Sequence, residues 1–122
     1  MGVADRPLRI VVVGDELTAG TGDPKGLGWV GRVAARTVAP VTPMFLTLPM
    51  PGESTAGLGA RWEGEAARRW ASDADNRLVV GLGRADVAAG DGQLPGQAGY
   101  GLIAWLVLHT GWHTWLGLPE DL

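Results

Sequence analysis

Three short apolar stretches divide the chain at regular intervals. The first, LRIVVV at Leu8–Val13, is a continuous β-branched run that ends at a glycine, as buried parallel strands do. Two similar stretches follow at Val41–Leu48 and Arg77–Leu82. Because Pro43 cannot donate a ladder hydrogen bond, the second stretch fits the edge of a sheet. The pattern predicts three strands.

The segments between these stretches repeat their apolar residues with the period of a helix. Trp29–Ala39 carries small and apolar residues on one face and arginines on the other, which predicts an amphipathic helix. A second helix should begin at Ser54 or Thr55, which could cap it. A third, apolar nearly all round, is expected from Pro95 to His109. The apolar stripe of the second helix repeats every four residues, at Leu58, Trp62, Ala66 and Trp70.

The order of these elements predicts the fold class. Strands that alternate with helices form a parallel sheet with helices on both faces, so a single three-layer α/β domain over residues 1–122 is expected. A glycine-rich loop, 14–28, joins the first strand to the first helix.

Composition excludes several classes of function. Hydrophobic residues make up 46% and charged residues 19%, as in globular proteins. The net charge is −3 and the basic residues are scattered, which argues against nucleic-acid binding. The chain has no cysteine, and its apolar runs are far shorter than the ~20 residues that cross a bilayer. We therefore expect a cytoplasmic protein that is not associated with a membrane.

Two motifs that could indicate a cofactor or a metal do not fit their usual settings. GLGWVG at 26–31 matches GxGxxG, but it begins far beyond the end of the first strand and has no acidic partner after the second. His109 and His113 have the spacing of helical metal ligands, yet Gly111 separates them and no third ligand accompanies them. Neither a cofactor nor a metal site is predicted.

Acidic residues gather where the strands are predicted to end. Asp15 and Glu16 follow the first strand directly, Asp86 follows the third, and Asp91 precedes the last helix. Ligands of open α/β sheets bind at the carboxyl ends of the strands. A carboxylate-lined crevice is therefore a candidate site.

Four sequence blocks resemble the SGNH (GDSL-type) hydrolases. VVVGDELTAGTGDPKGLGWVGRVAAR is similar to the family's first block, and PGEST with ARW downstream is similar to the second. GRAD at 83–86 resembles the third block, and DGQLPG at 91–96 the last. The resemblance implies a flavodoxin-like SGNH fold, here shortened to about three parallel strands in the order 2-1-3.

The departures from the family pattern fall on its catalytic residues. Glu16 stands where the family has its nucleophilic serine, Ala85 where it has the oxyanion asparagine, and Leu94 where it has the general-base histidine. Only Gly52, which matches the glycine that supplies an oxyanion-hole amide, and the acid Asp91 remain. Acyl transfer by this route needs the hydroxyl, the base and the donors together, so an ordinary Ser-His-Asp esterase is excluded.

The chain is also shorter than the family pattern between the third and last blocks, where two strands with their helices are missing. The third strand then becomes an edge, and it lacks the charges or proline that usually protect one. We expect a homodimer that uses this edge or the Trp-rich C-terminus, which carries Trp105, Trp112 and Trp115.

Two functions remain open. The first is a small-molecule enzyme of the isomerase, cyclase or hydrolase type, in which Glu16, Asp15 and Asp91 perform acid/base chemistry. Its binding residues would be Gly52, Glu53, Arg84 and Asp86. The alternative is a catalytically dead binding or assembly protein. The enzyme requires Glu16 in a closed pocket with a second acid within hydrogen-bond reach or one water away. In the binding protein, Glu16 should be solvated or paired with an arginine, with no enclosed cavity.

Overall fold

The computed structural model of the chain describes residues 6–82 and 95–119. Its strands form one parallel sheet in the order β2-β1-β3, which confirms the α/β class and the 2-1-3 order. The elements are β1 Leu8–Gly14, α1 Glu16–Ala19, α2 Gly28–Ala35, β2 Met44–Pro49, α3 Thr55–Ala67, β3 Asp75–Gly81, α4 Gln97–Leu108 and α5 Trp112–Trp115.

The central strand β1 supplies side chains to two hydrophobic layers. Ile10 and Val12 pack with α2 and α4 on one face, and Val11 and Val13 pack with α3 on the other. Successive strand residues point to opposite faces, so a continuous apolar run is what a strand covered on both faces requires. Each buried aliphatic side chain of this kind contributes about 1.5–3 kcal/mol.

The helix α2 ends at Ala35, four residues before the predicted end at Ala39. The hydroxyl of Thr37 bonds the Val33 carbonyl, and the N–H of Val38 turns away to His113. Pro40 in addition disfavours a helical conformation at the residue before it. Local hydrogen bonds and a proline therefore override the apolar periodicity.

Two short helices were not predicted. The glycine-rich loop after β1 contains α1, and a further turn, α5, follows Gly111, whose φ of 102° lies in the left-handed region. Within the described ranges, no helix combines the length and the apolar character needed to cross a bilayer.

The aromatic C-terminus is anchored to the domain. Trp112 is buried, and its indole N–H donates to the Thr37 hydroxyl at 3.0 Å. His113 is buried as well, with its Nε2 accepting the Val38 N–H at 3.3 Å. Trp115 remains partly exposed beneath the guanidinium of Arg77.

Candidate site at the carboxyl edge of the sheet

Four of the seven predicted site residues lie in the part of the chain that the structure describes. Asp15 and Glu16 follow β1, and Gly52 and Glu53 follow β2, so both pairs lie at the carboxyl edge of the sheet. The other three, Arg84, Asp86 and Asp91, lie outside the described residues, as do Ala85 and Leu94.

The end of β1 is held against the end of β3 by a contact that only glycine allows. The Thr18 hydroxyl donates to the Gly81 carbonyl at 3.0 Å, and the Asp15 N–H donates to the same oxygen at 3.3 Å. A Cβ on Gly14 would lie 2.2 Å from the Thr18 Oγ1 and 2.3 Å from the Gly81 oxygen. The conformation of the loop that carries Asp15 and Glu16 therefore depends on Gly14.

Asp15 is the N-cap of α1. Its side chain is fully buried and accepts the Leu17 N–H at 3.0 Å, while its backbone is extended as N-cap geometry requires. A cap of this kind stabilises by about 1 kcal/mol. The structure thus assigns Asp15 a definite role in the fold, which its position in sequence did not reveal.

The carboxylate of Glu16 reaches across to the loop after β2. Its Oε2 accepts the N–H of Gly52 at 2.6 Å, the short distance that is typical of a hydrogen bond to a charged acceptor. Gly52 has φ +74°, a conformation that L side chains rarely adopt. Nearby, the Met50 N–H donates to the Gly14 carbonyl at 2.8 Å. The two loops are therefore joined by backbone and side-chain hydrogen bonds.

Glu53 forms an ion pair with Arg61 of α3. The Arg61 Nε lies 2.6 Å from Glu53 Oε1, and another guanidinium nitrogen pairs with Glu65 one turn further along the helix. The same guanidinium donates to the carbonyls of Gly14 and Leu48, at 3.4 and 3.3 Å. Arg61 thus connects α3 to the ends of both β1 and β2.

The charge on Arg61 is stabilised by these partners. Partial burial acts to lower the pKa of its guanidinium, but the hydrogen bonds to Glu53 and Glu65 outweigh burial and raise that pKa above its ordinary value. Arg61 belongs to the second SGNH-like block, but the sequence indicated no function for it. Its partners come from other loops, so spacing along the chain did not indicate them.

A second carboxylate orders the glycine-rich loop. The side chain of Asp23 accepts the backbone N–H groups of Lys25, Leu27 and Gly28 at 2.8–3.0 Å, and it pairs with Arg32 at 2.6 Å. The hydrogen bond from Arg32, together with these amides, holds the pKa of Asp23 well below its usual range. The backbone N–H of Gly28, the first residue of α2, therefore already donates to the carboxylate of Asp23. GLGWVG is a closed loop that leads into a helix.

The loop is closed further by its glycines and by α4. Gly20 and Gly28 both have positive φ, and a Cβ on Gly20 would lie 2.8 Å from the Gly28 Cα. The buried Tyr100 donates its hydroxyl to the Thr21 carbonyl at 2.6 Å. These contacts fix the loop that leads away from the candidate site.

An apolar groove of about 280 Å³ lies beside this site, between β3 and α4. Leu17 of α1 forms one end of it, and the described lining contains no acidic side chain. The residues that line the groove are Leu17, Trp29, Val79, Val80, Gly81, Leu82, Ile103 and Val107.

No three His, Asp or Glu side chains within residues 6–82 and 95–119 come together to hold a metal ion.

Comparison with known proteins does not add to this assignment. The chain matches no known protein family and no curated protein. The resemblance to the SGNH hydrolases therefore stays a prediction that rests on the four sequence blocks.

Proposed function

We propose that this protein is an SGNH-like binding or assembly protein that performs no acyl transfer. The observation that carries the proposal is the 2.6 Å hydrogen bond from the Gly52 amide to the Glu16 carboxylate. On the SGNH-like interpretation, that amide would have to stabilise the oxyanion of a substrate.

The contact opposes acyl transfer on electrostatic grounds. Oxyanion stabilisation requires donors that are aimed at the place where negative charge develops. Here a donor already serves the protein's own carboxylate, and two negative charges at the same amide would repel one another. The replacement of serine by Glu16 therefore removes the nucleophile and also fills a donor position.

The neighbouring acids support the same conclusion. Asp15 caps α1, and Glu53 pairs with Arg61. A polar network whose members satisfy one another stabilises and rigidifies a structure. We infer that the carboxylates at this edge hold three elements together, namely the loop after β1, the loop after β2, and α3.

The acid/base enzyme stays a second candidate, with one observation in its favour. Asp15, Glu16 and Glu53 come from two loops that meet at the carboxyl edge, where ligands of open α/β sheets bind. A small-molecule ligand would enter there, and Asp91, Arg84 and Asp86 would complete the site. The cytoplasmic location, which is compatible with a cysteine-free chain, is likewise part of the proposal.

Unfolding measurements distinguish the two candidates without knowledge of a substrate. If Glu16 joins the two loops, Glu16→Ala should lower the free energy of unfolding by about 1.5 kcal/mol, the lower end of the range for a hydrogen bond to a charged group, because this bond is exposed. Glu16→Gln should lose less, because its amide oxygen still accepts the Gly52 N–H. Glu63→Ala is the matched control, since Glu63 is exposed on α3.

The opposite result would favour the enzyme. Replacing a catalytic residue often leaves the stability of a protein unchanged or raises it. A Glu16→Ala variant as stable as the wild type, together with saturable turnover of an activated ester or epoxide that Glu16→Gln abolishes, would overturn the proposed function.

A further inference from the structure

The outer edge of β3 carries backbone groups that point away from the sheet. The Asp75 N–H donates to Pro7 at 2.9 Å, and the Gly81 carbonyl accepts the Asp15 N–H, so odd-numbered residues of β3 face β1. Even-numbered residues present their N–H and C=O groups outward, because successive strand residues alternate. In the described ranges, no hydrogen bond involves these groups of Leu78 or Val80.

Among the described residues, the surface around the C-terminal half of this edge is apolar. Val80 is 53% exposed, and the groove of about 280 Å³ runs beside it to Ile103 and Val107 of α4. Neither 78–82 nor α4 contains an Asp, Glu, Lys, Arg or His residue. At the start of the strand, Asp75 and Arg77 neutralise one another in an ion pair of 2.8 Å. A partner with a charged edge would therefore bury a charge without a counterion here.

The other edge of the sheet is protected against pairing. The Met50 N–H donates to Gly14, so even-numbered positions around β2 face β1 and odd-numbered positions face outward. Two of those outward positions are Pro43 and Pro49, which have no N–H to donate. A head-to-tail contact between β3 and the β2 edge of another copy is therefore disfavoured.

We propose that two copies of this chain pair through their β3 edges to form a continuous six-stranded sheet. An antiparallel β3–β3 pair satisfies the outward groups of Leu78 and Val80 in both copies at once and closes by two-fold symmetry. A two-fold axis near Val80 also keeps the two Arg77 side chains apart, because Arg77 of one copy then lies several residues along the strand from Arg77 of the other. A second copy suits this edge, because two identical uncharged strand ends meet without repulsion and each supplies the backbone donors and acceptors that the other lacks.

Of the two surfaces that the sequence indicated for a dimer, the strand edge is therefore preferred. Trp112 is buried and donates to Thr37, and Trp115 packs against Arg77 of the same chain. Trp105 is half-exposed, but its ring stacks on His109 of the same chain. The dimer gives the assembly role proposed above a definite partner, namely a second copy of the chain. It involves no contact of Glu16, so the two proposals can fail separately.

The mass of the protein in solution tests the dimer directly. Sedimentation equilibrium of the full chain should give twice the chain mass. Val80→Lys should raise the dissociation constant by about tenfold or more, equivalent to at least 1.4 kcal/mol, because two lysines would lie at an uncharged edge. Val38→Lys is the matched control, since Val38 is 59% exposed and lies between α2 and β2, outside β3 and its proposed contact.

A second variant and a measurement on the wild type guard against misfolding of Val80→Lys. Val80→Pro removes an outward N–H that β1 does not use, so it should dissociate the dimer while the far-ultraviolet circular dichroism stays unchanged. In amide hydrogen exchange of the wild type, Leu78 and Val80 should be protected at high concentration and lose protection on dilution. Val79 and Gly81 should stay protected at both concentrations.

Three results would overturn the dimer. The first is a monomeric mass at the highest concentration used for exchange. The second is a dimer that neither Val80 variant weakens, since that dimer would use another surface. The third is protection of Leu78 and Val80 that persists at a dilution where the measured mass is that of one chain, which would mean that the edge is covered within one chain.

Discussion

Replacing Arg61 by alanine removes the cation that connects α3 to the ends of β1 and β2. The guanidinium pairs with Glu53 at 2.6 Å and with Glu65, and the side chains of Arg61 and Glu53 are 18% and 9% exposed. Removing one partner of a buried pair costs about 3–5 kcal/mol, because the other charge is left without compensation. With Arg61 partly exposed, we expect the lower end of this range.

The magnitude can be measured by urea or thermal unfolding. A loss of about 3 kcal/mol in a domain of this size corresponds to a fall of about 10 °C in Tm. Arg68→Ala is the matched control, because Arg68 is an exposed arginine at the end of the same helix, and it should change stability by less than about 0.5 kcal/mol.

A double variant separates the charge from the packing of Arg61. Adding Glu53→Gln to Arg61→Ala replaces the stranded carboxylate by a neutral amide, and it should recover about 1–2 kcal/mol. The reasoning is refuted if Arg61→Ala is as mild as Arg68→Ala. No recovery on adding Glu53→Gln would refute the electrostatic part alone.

Two further predictions concern the glycine at the end of β1 and the ion pair at the start of β3. Gly14→Ala should destabilise by about 3 kcal/mol, the upper end of the usual cost of overpacking, since its Cβ would lie 2.3 Å from the carbonyl oxygen of Gly81. Gly59→Ala, with open space around its Cβ in α3, should instead stabilise by about 0.5–1 kcal/mol. Equal effects of the two variants in urea unfolding would show that the close contact is not present. The hydrogen bond from Arg77 lowers the pKa of Asp75 below its ordinary value. The ion pair therefore stabilises the fold at pH values above the unfolded pKa of about 3.9. This contribution is lost as the pH falls through the lower pKa of the folded state. The difference in unfolding free energy between the wild type and Asp75→Asn should therefore shrink on acidification from pH 5 towards pH 2, and a difference that stays constant or grows would contradict this sign.

The sheet and its order could be predicted because strong, repeated signals specify them. The run from Leu8 to Val13 is apolar at every position, which suits only an element covered on both faces. The predicted ends of the helices and strands were less accurate. The end of α2 depends on Thr37, Val38 and Pro40, and the hydrogen bond from Val38 to His113 joins residues far apart in sequence.

The position of Glu16 and Gly52 at the carboxyl edge of the sheet could be predicted from the sequence, but their interactions could not. Parallel strands bring their carboxyl ends to one edge, so the positions of Glu16 and Gly52 follow from the strand order. Which donor each carboxylate accepts depends on loop geometry, as the contacts of Asp15 with Leu17 and of Glu53 with Arg61 show. Asp23 gave no signal beyond its place among glycines, because its partners are mainly backbone amides.

Hydrogen exchange of the Gly52 amide tests the central claim most directly, since that N–H is the donor held by Glu16. In the wild type at neutral pH, the amide should exchange at least about tenfold more slowly than an unprotected loop amide, as a bond worth about 1.4 kcal/mol implies. In Glu16→Ala that protection should disappear, while the core amides of β1 remain protected. A Gly52 amide that exchanges freely in the wild type, or that is equally protected in Glu16→Ala, would contradict the account.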